Sequence, residues 1–214
     1  MSAIHFEIRH CPHCGLRYPL PSAHPFGTRC PHCLAETQVI LKKQPQEQMY
    51  SEAARRVKPN RMGKKYAAVL DNIRSAWNVG SIFRSADGFG FLHLYLCGIT
   101  PTPEQAAVRK TALGAEGSVS WSYHKDAAEL TLELKRAGWN ILALEEDARA
   151  QELPRASTTS KNALILGGEV CGVDPQALDL ADQILYIPMV GVKRSYNVAN
   201  AFAVAAYALT QQGR

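Results

Sequence analysis

From residue 66 onward, short dense apolar runs alternate with longer amphipathic stretches. Tyr66–Leu70, Leu92–Cys97, Val119–Tyr123, Asn140–Leu144, Ala163–Leu166 and Ile184–Ile187 are runs suited to buried strands. Helical spacing fills the gaps. From Asn78 to about Phe89, Ile82, Phe83 and Ala86 share one face while Arg84 and Asp87 lie elsewhere. Pro103–Glu116 reads as a helix and loop, Asp126–Ala137 as an amphipathic helix ended by Gly138, and Pro175–Leu180 as a short helix. Pro188 removes a backbone donor and stops the last strand. A loop with Gly191, Lys193 and Arg194 follows; Ser195 reads as an N-cap, and a small-residue helix runs from Asn197. Strands alternating with helices predict an α/β domain with a mainly parallel sheet covered on both faces.

The first third of the chain lacks this alternation. Cys11-Pro-His-Cys14 and Cys30-Pro-His-Cys33 form two CxxC knuckles separated by 15 residues. Each knuckle aims two thiolates at one point, and two knuckles make the closed tetrahedral four-cysteine site that structural Zn²⁺ accepts. Gly15 helps the first knuckle turn. A pair of redox CxxC motifs would want a βαβ context, and none is visible. His13 and His32 are flanking residues, because four Cys already fill the shell. So small a module buries little apolar area, which leaves the metal to supply its folding free energy. The expected division is a zinc ribbon over 1–43, a basic linker over 44–65, with Ser51 capping a short helix, and the α/β domain over 66–214.

Charge sharpens that division. Residues 1–65 carry 11 Lys/Arg against 4 Asp/Glu, and residues 66–214 carry 13 against 15, so +7 and −2 make the net +5. A basic leader on a near-neutral body suggests a polyanion-binding appendage, and Arg9, Arg17, Arg29, Lys42 and Lys43 favour contact with phosphate. A solvated basic linker is the plainer alternative. MSAIHFEIRHC has charges and no apolar core, so no secretory signal is read. The longest uncharged run, Ser195–Gly213, carries too many polar residues for a membrane span. With six Cys and no signal peptide, a reducing, cytoplasmic location is expected, with Cys97 and Cys171 as buried free thiols.

The candidate chemistry sits where strands give way to helices, because free N–H groups collect there. Neither G-x-G-x-x-G nor a P-loop is present. Three stretches in order, NVGSIFRSADGFG (Asn78–Gly90), LILGGEVCGVD (Leu164–Asp174) and YIPMVGVKRSYNVANAFAVAAYALTQQ (Tyr186–Gln212), resemble the three signature motifs of the SpoU/TrmH-type RNA ribose 2'-O-methyltransferases of the SPOUT superfamily. The resemblance spans roughly Tyr66 to Gln212. It implies a sheet whose C-terminal part threads a trefoil knot, an exception to the rule against knots. It also implies methyl transfer from S-adenosyl-L-methionine to a ribose 2'-hydroxyl of tRNA or rRNA by a homodimer.

By that resemblance, Arg84 orients ribose and phosphate; its guanidinium is always protonated and suits positioning better than proton abstraction. Asn78 caps the first-motif helix and binds Arg84 or Glu169 in the same cluster, Glu169 takes Arg84 or the Ser195–Asn197 loop as partner, and Ser195 and Asn197 form the third-motif pair. Gly167, Ile187 and Tyr196, with Leu144 and Met189, are the implied cofactor contacts. Tyr196 stands where the family commonly has Leu, Gly168 where Asn is frequent, Val170 where glycine is usual, and Asn200 where a Val is buried. The stripe Ala199, Ala203, Val204 and Ala206 permits close helix contact within one chain or between two. Two other readings stay open: a zinc-ribbon RNA-binding or assembly factor whose methyltransferase domain is inactive, and a methyltransferase acting on the nucleobase.

Overall fold

The computed structural model describes residues 6–21, 24–25, 27–43, 63–192 and 195–211. The expected linker helix at Ser51 and most of the basic linker, together with Lys193, Arg194 and Gly213, lie outside the described residues. The chain divides into two compact units, Met1–Arg56 and Val57–Arg214.

In the N-terminal unit, β1 (Phe6–His10), β2 (Arg17–Pro21) and β3 (Gln38–Lys43) form an antiparallel sheet in the order β2-β1-β3. It has almost no core. Val39, Ile40 and Leu41 are exposed, and among the unit's described residues the buried apolar side chains are Cys11 and Cys30 alone. The phosphate-binding expectation needs one correction. Arg9 is buried, donates to Glu7 Oε2 at 2.8 Å and to Thr37 Oγ1 at 2.9 Å, and so is spent inside the unit.

The second unit is built on a wholly parallel seven-stranded sheet. Its strands are β4 (Lys65–Asp71), β5 (His93–Cys97), β6 (Ser120–His124), β7 (Asn140–Leu144), β8 (Gln151–Glu152), β9 (Lys161–Gly167) and β10 (Gln183–Tyr186). They lie in the order β6-β5-β4-β9-β7-β10-β8. In the common doubly wound order the domain's fourth strand lies beside its first. Here β9 takes that place, pairing with β4 along Lys65–Asp71 and with β7 along Asn140–Leu144. Six expected strands are present; β8, two residues long, gave no periodic signal.

One face carries α1 (Ala76–Phe89), α2 (Ala106–Ala112) and α5 (Val198–Gln211), and the other α3 (Ala127–Arg136) and α4 (Pro175–Asp179). On α1, Val79, Ile82, Phe83 and Ala86 repeat at helical spacing and are buried against α2 and α5. Gly80 lets α1 meet α2 closely, because an added Cβ would overlap Thr111 and the backbone of Val108. Phe202 of α5 packs edge to face on Phe91, ring centroids 5.1 Å apart. Tyr66 Oη donates to the Leu209 carbonyl at 2.9 Å, fixing the end of α5 to the first strand of the unit.

Both helix starts differ from expectation. Ser75, not Asn78, caps α1, accepting from the Asn78 N–H, and Asn197, not Ser195, caps α5 by accepting from the Ala199 and Asn200 N–H groups. Ala199 and Ala206 are buried within the chain, whereas Val204 and Asn200 face outward. Among the described residues no helix is long and apolar enough to cross a membrane.

Candidate active site

Four loops leave the carboxyl ends of adjacent strands, with described residues 72–75 after β4, 145–146 after β7, 168–174 after β9, and 187–192 and 195–197 after β10. Between the last three lies a cavity of about 550 Å³, within the range of small-molecule and cofactor sites. Leu144, Gly167, Ile187, Met189 and Tyr196 line it, as do Glu169, Ser195 and Asn197. Residues the sequence reading passed over also line it, notably Glu145, Tyr186, Val198 and Ala201. Gly167 serves the wall by its bareness. A Cβ there would overlap the backbone of Gly172 and Val173, so the 168–172 turn folds down onto the end of β9 only over glycine.

Three carboxylates pin these loops together through backbone N–H groups. Glu145 Oε2 accepts from Val173 N at 2.9 Å, and Asp71 Oδ2 accepts from Asp174 N at 2.7 Å. Glu169 reaches across to the start of α1, accepting from Arg74 N at 2.9 Å and Ser75 N at 3.3 Å. Asn78 Nδ2 donates to the same carboxylate at 2.8 Å. This replaces the expected Arg84 partner with free N–H groups at a helix N-terminus, where the dipole also favours a negative charge. Partial burial works against that charge, but the bonds from Arg74, Asn78 and Ser75 outweigh it and hold the carboxyl below its ordinary range. Asp71 is the opposite case: burial dominates and pushes its carboxyl up. Signals for Glu145 and Asp71 existed only as acids at strand ends.

The polar cluster has a direction. Asn197 Nδ2 donates to Asn78 Oδ1 at 3.1 Å, and Asn78 Nδ2 donates on to Glu169. An ionised carboxylate only accepts, and the α5 N–H groups only donate, so both amide orientations are dictated from the two ends. Ser195 is exposed at the rim of the cavity and makes no hydrogen bond with the described residues. Arg84 is not brought into this cluster. It lies about 9 Å farther along α1 than Asn78, at 1.5 Å per residue, is exposed, and has no hydrogen-bond or ion-pair partner among the described residues. Of the two remaining thiols, Cys97 is buried, and burial with Asp71 nearby pushes it up to about 12, whereas Cys171 is exposed, against expectation.

The model of the SpoU rRNA methylase family matches residues 65–207. The chain belongs to that family. The matched span runs from β4 into α5, and membership makes the chain a methyltransferase. A tRNA (guanosine(18)-2'-O)-methyltransferase of Thermus thermophilus is 32% identical over 146 residues, 67% of this chain and 73% of the relative. The Escherichia coli enzyme of the same name is 28% identical over 143 residues, 67% of this chain and 62% of the relative. A SpoU methyltransferase of Streptomyces viridochromogenes, solved in complex with AdoMet, superposes with a TM-score of 0.64 at 24% identity, over 70% of this chain and 60% of that one, and shares the fold. The reading of an inactive RNA-binding factor finds no support in these likenesses.

The four cysteines of the N-terminal unit converge. Cys11 and Cys33 Sγ atoms are 3.5 Å apart, Cys14 and Cys30 are 3.6 Å apart, and all four lie within 4.8 Å of one another. A tetrahedron with Zn–S of about 2.3 Å has edges of about 3.8 Å, so the set fits zinc. His32 N donates to Cys30 Sγ at 3.4 Å, as a thiolate in a knuckle requires. Gly15 and Leu34 follow the second Cys of each knuckle, both with positive φ (75° and 62°). The second knuckle accepts a non-glycine strain of about 1–2 kcal/mol.

Proposed function

We propose that the chain transfers the methyl group of S-adenosyl-L-methionine to a ribose 2'-hydroxyl of structured RNA, with transfer RNA ahead of ribosomal RNA because the curated relatives above carry that substrate in their names. The observation that carries this reading is the directed chain Asn197–Asn78–Glu169, which ties the start of α1 to the loops after β9 and β10 beside a cavity of cofactor size.

The cavity walls fit the donor. Leu144, Gly167, Ile187, Met189 and Tyr196 offer apolar surface and loop backbone to an adenosine. When bound, S-adenosyl-L-methionine supplies an electrophilic methyl. The chain's part is to align an oxygen with it and ease the loss of its proton. Ser195, with its hydroxyl bonded to no described residue, is the group free to meet the 2'-hydroxyl. Arg84 supplies a permanent cation for the adjoining phosphate. Glu169 already accepts three N–H bonds and holds its charge, so it is a poor base and acts by fixing the start of α1. The proton passes to water or to a substrate phosphate.

The four-cysteine unit holds structural zinc and contributes RNA contact through its exposed cations, Lys42 among them. The enzyme works as a cytosolic homodimer, with Val204 and Tyr207 leaving apolar surface exposed on α5 for a second copy. The C-terminal segment threads the trefoil knot. Incubation of the zinc-loaded protein with labelled S-adenosyl-L-methionine and unmodified transfer or ribosomal RNA, followed by nucleoside mass spectrometry, tests the reaction. A 2'-O-methylnucleoside is expected; label on a base discards the ribose assignment.

A further inference from the structure

A second cavity, of about 290 Å³, lies on the other side of the 168–172 turn and shares Gly168, Val170 and Gly172 with the first. Its remaining walls come from the ends of β4 and β5 and from the loop after β9, including Asp71, Asn72, Arg74, Ile99 and Cys171. None of these five lines the first cavity. We propose that this second cavity seats a nucleobase of the RNA substrate, an inference that rests on the ribose-methylation reading above.

The walls suit a flat aromatic ring. Ile99 is 66% exposed and Val170 is 73% exposed, two large apolar side chains left facing water at one small hollow. The Arg74 side chain beside them is exposed and bonds to no described residue, while its N–H holds Glu169. Apolar surface with a guanidinium plane is what an unstacked base takes on its faces. The floor is polar. Asp71 Oδ1 accepts from Asn72 Nδ2 at 2.8 Å and Oδ2 from Asp174 N at 2.7 Å, which leaves a lone pair on each oxygen. Asn72 keeps one amide N–H, and its Oδ1 accepts from Ile99 N at 3.1 Å, so the same side chain positions the apolar wall. Donors and acceptors on a base edge would meet both kinds of partner there. Continuity with the first cavity through one glycine-bounded turn puts a base and the methyl donor on opposite sides of Gly168–Gly172.

Cys171 is exposed and lines only this cavity, which makes it a reporter. The zinc-loaded full chain is treated with a maleimide, and alkylation of the Cys171 peptide is followed by mass spectrometry. Unmodified transfer RNA at saturation should slow Cys171 alkylation by about tenfold, the scale of one base stacked or lost, while S-adenosyl-L-methionine alone leaves it unchanged. In parallel, Ile99→Asp and Arg74→Ala should each raise the KM for RNA by about tenfold and leave the Kd for S-adenosyl-L-methionine within about twofold. Alkylation at the free rate in the RNA complex, protection by the methyl donor alone, or two variants with wild-type KM overturns the proposal. Wild-type transfer to ribose without protection sinks this inference only. Protection without any transfer keeps the base seat and sinks the ribose-methylation reading instead.

Discussion

The two units reach a defined fold by different physical routes. The N-terminal unit is short, its strand residues Val39, Ile40 and Leu41 are exposed, and its buried apolar content among the described residues is Cys11 and Cys30. The C-terminal unit buries Tyr66, Phe83, Phe202 and more than twenty Val, Leu and Ile side chains on two faces of one sheet. On the proposed reading one is held by the zinc that its four converging cysteines fit, the other by apolar area removed from water. Each unit should therefore fail alone, and by its own cause.

Metal removal is the strongest way to break the comparison. A strong chelator, or Cys11→Ser with Cys30→Ser, removes a binding free energy of about 10–16 kcal/mol, the scale of structural zinc in small modules. Hydrogen exchange should then show β1, β2 and β3 fully unprotected while β4, β5 and β9 keep their protection. Loss of protection in both units would mean that they fold as one. The reciprocal change is Phe202→Ala, which empties a fully buried site between α5 and the sheet. It should cost about 4 kcal/mol in the denaturant unfolding of the C-terminal unit and leave zinc affinity unchanged.

Much of this division was legible beforehand, and the reason is local. The CxxC spacing and the six apolar runs are signals carried by adjacent residues, and both appear where expected. Features set by distant partners were not legible. Arg9 looked available for phosphate, but it is satisfied by Thr37, 28 residues away. Glu169 meets the expected Asn78 but neither Arg84 nor the Ser195–Asn197 loop directly, and the rest of its carboxylate is taken by N–H groups 94 and 95 residues upstream. The helix starts at Ser75 and Asn197 were each missed by two or three residues, because Ser and Asn cap almost equally well and several stood in line. Leu144, Gly167, Ile187, Met189 and Tyr196, expected as cofactor contacts through resemblance, together line one cavity, whereas Gly167's close approach to Gly172 carried no local signal.

Smaller effects sharpen the picture of the site itself. Arg84→Ala should lower kcat by about a hundredfold, roughly 2.7 kcal/mol of transition-state stabilisation, with the Kd for S-adenosyl-L-methionine unchanged by calorimetry. Full activity in that variant removes the role assigned to Arg84. Glu169→Gln keeps the shape but weakens three charge-assisted bonds, at a cost of about 1–2 kcal/mol near neutral pH. The pH dependence has a definite sign. A carboxyl whose folded value lies below the unfolded value of about 4.3 contributes stability above that pH and loses it as pH falls through the folded value. Thermal melts of wild type and Glu169→Gln should therefore converge on acidification below about pH 4. A gap that stays constant down to the acid limit would show that the charge on Glu169 is irrelevant to the start of α1.

The most direct test of ribose methylation asks where the methyl group lands. RNA chains break in alkali through attack by the 2'-hydroxyl, so methylation of that oxygen protects the adjoining phosphodiester. Transfer RNA labelled by this protein from radioactive S-adenosyl-L-methionine should, after complete alkaline hydrolysis, carry its label in a dinucleotide, and the Arg84→Ala protein should give little of it. Label released entirely as mononucleotides would contradict ribose methylation and with it the roles assigned to Asn78, Arg84, Ser195 and Asn197.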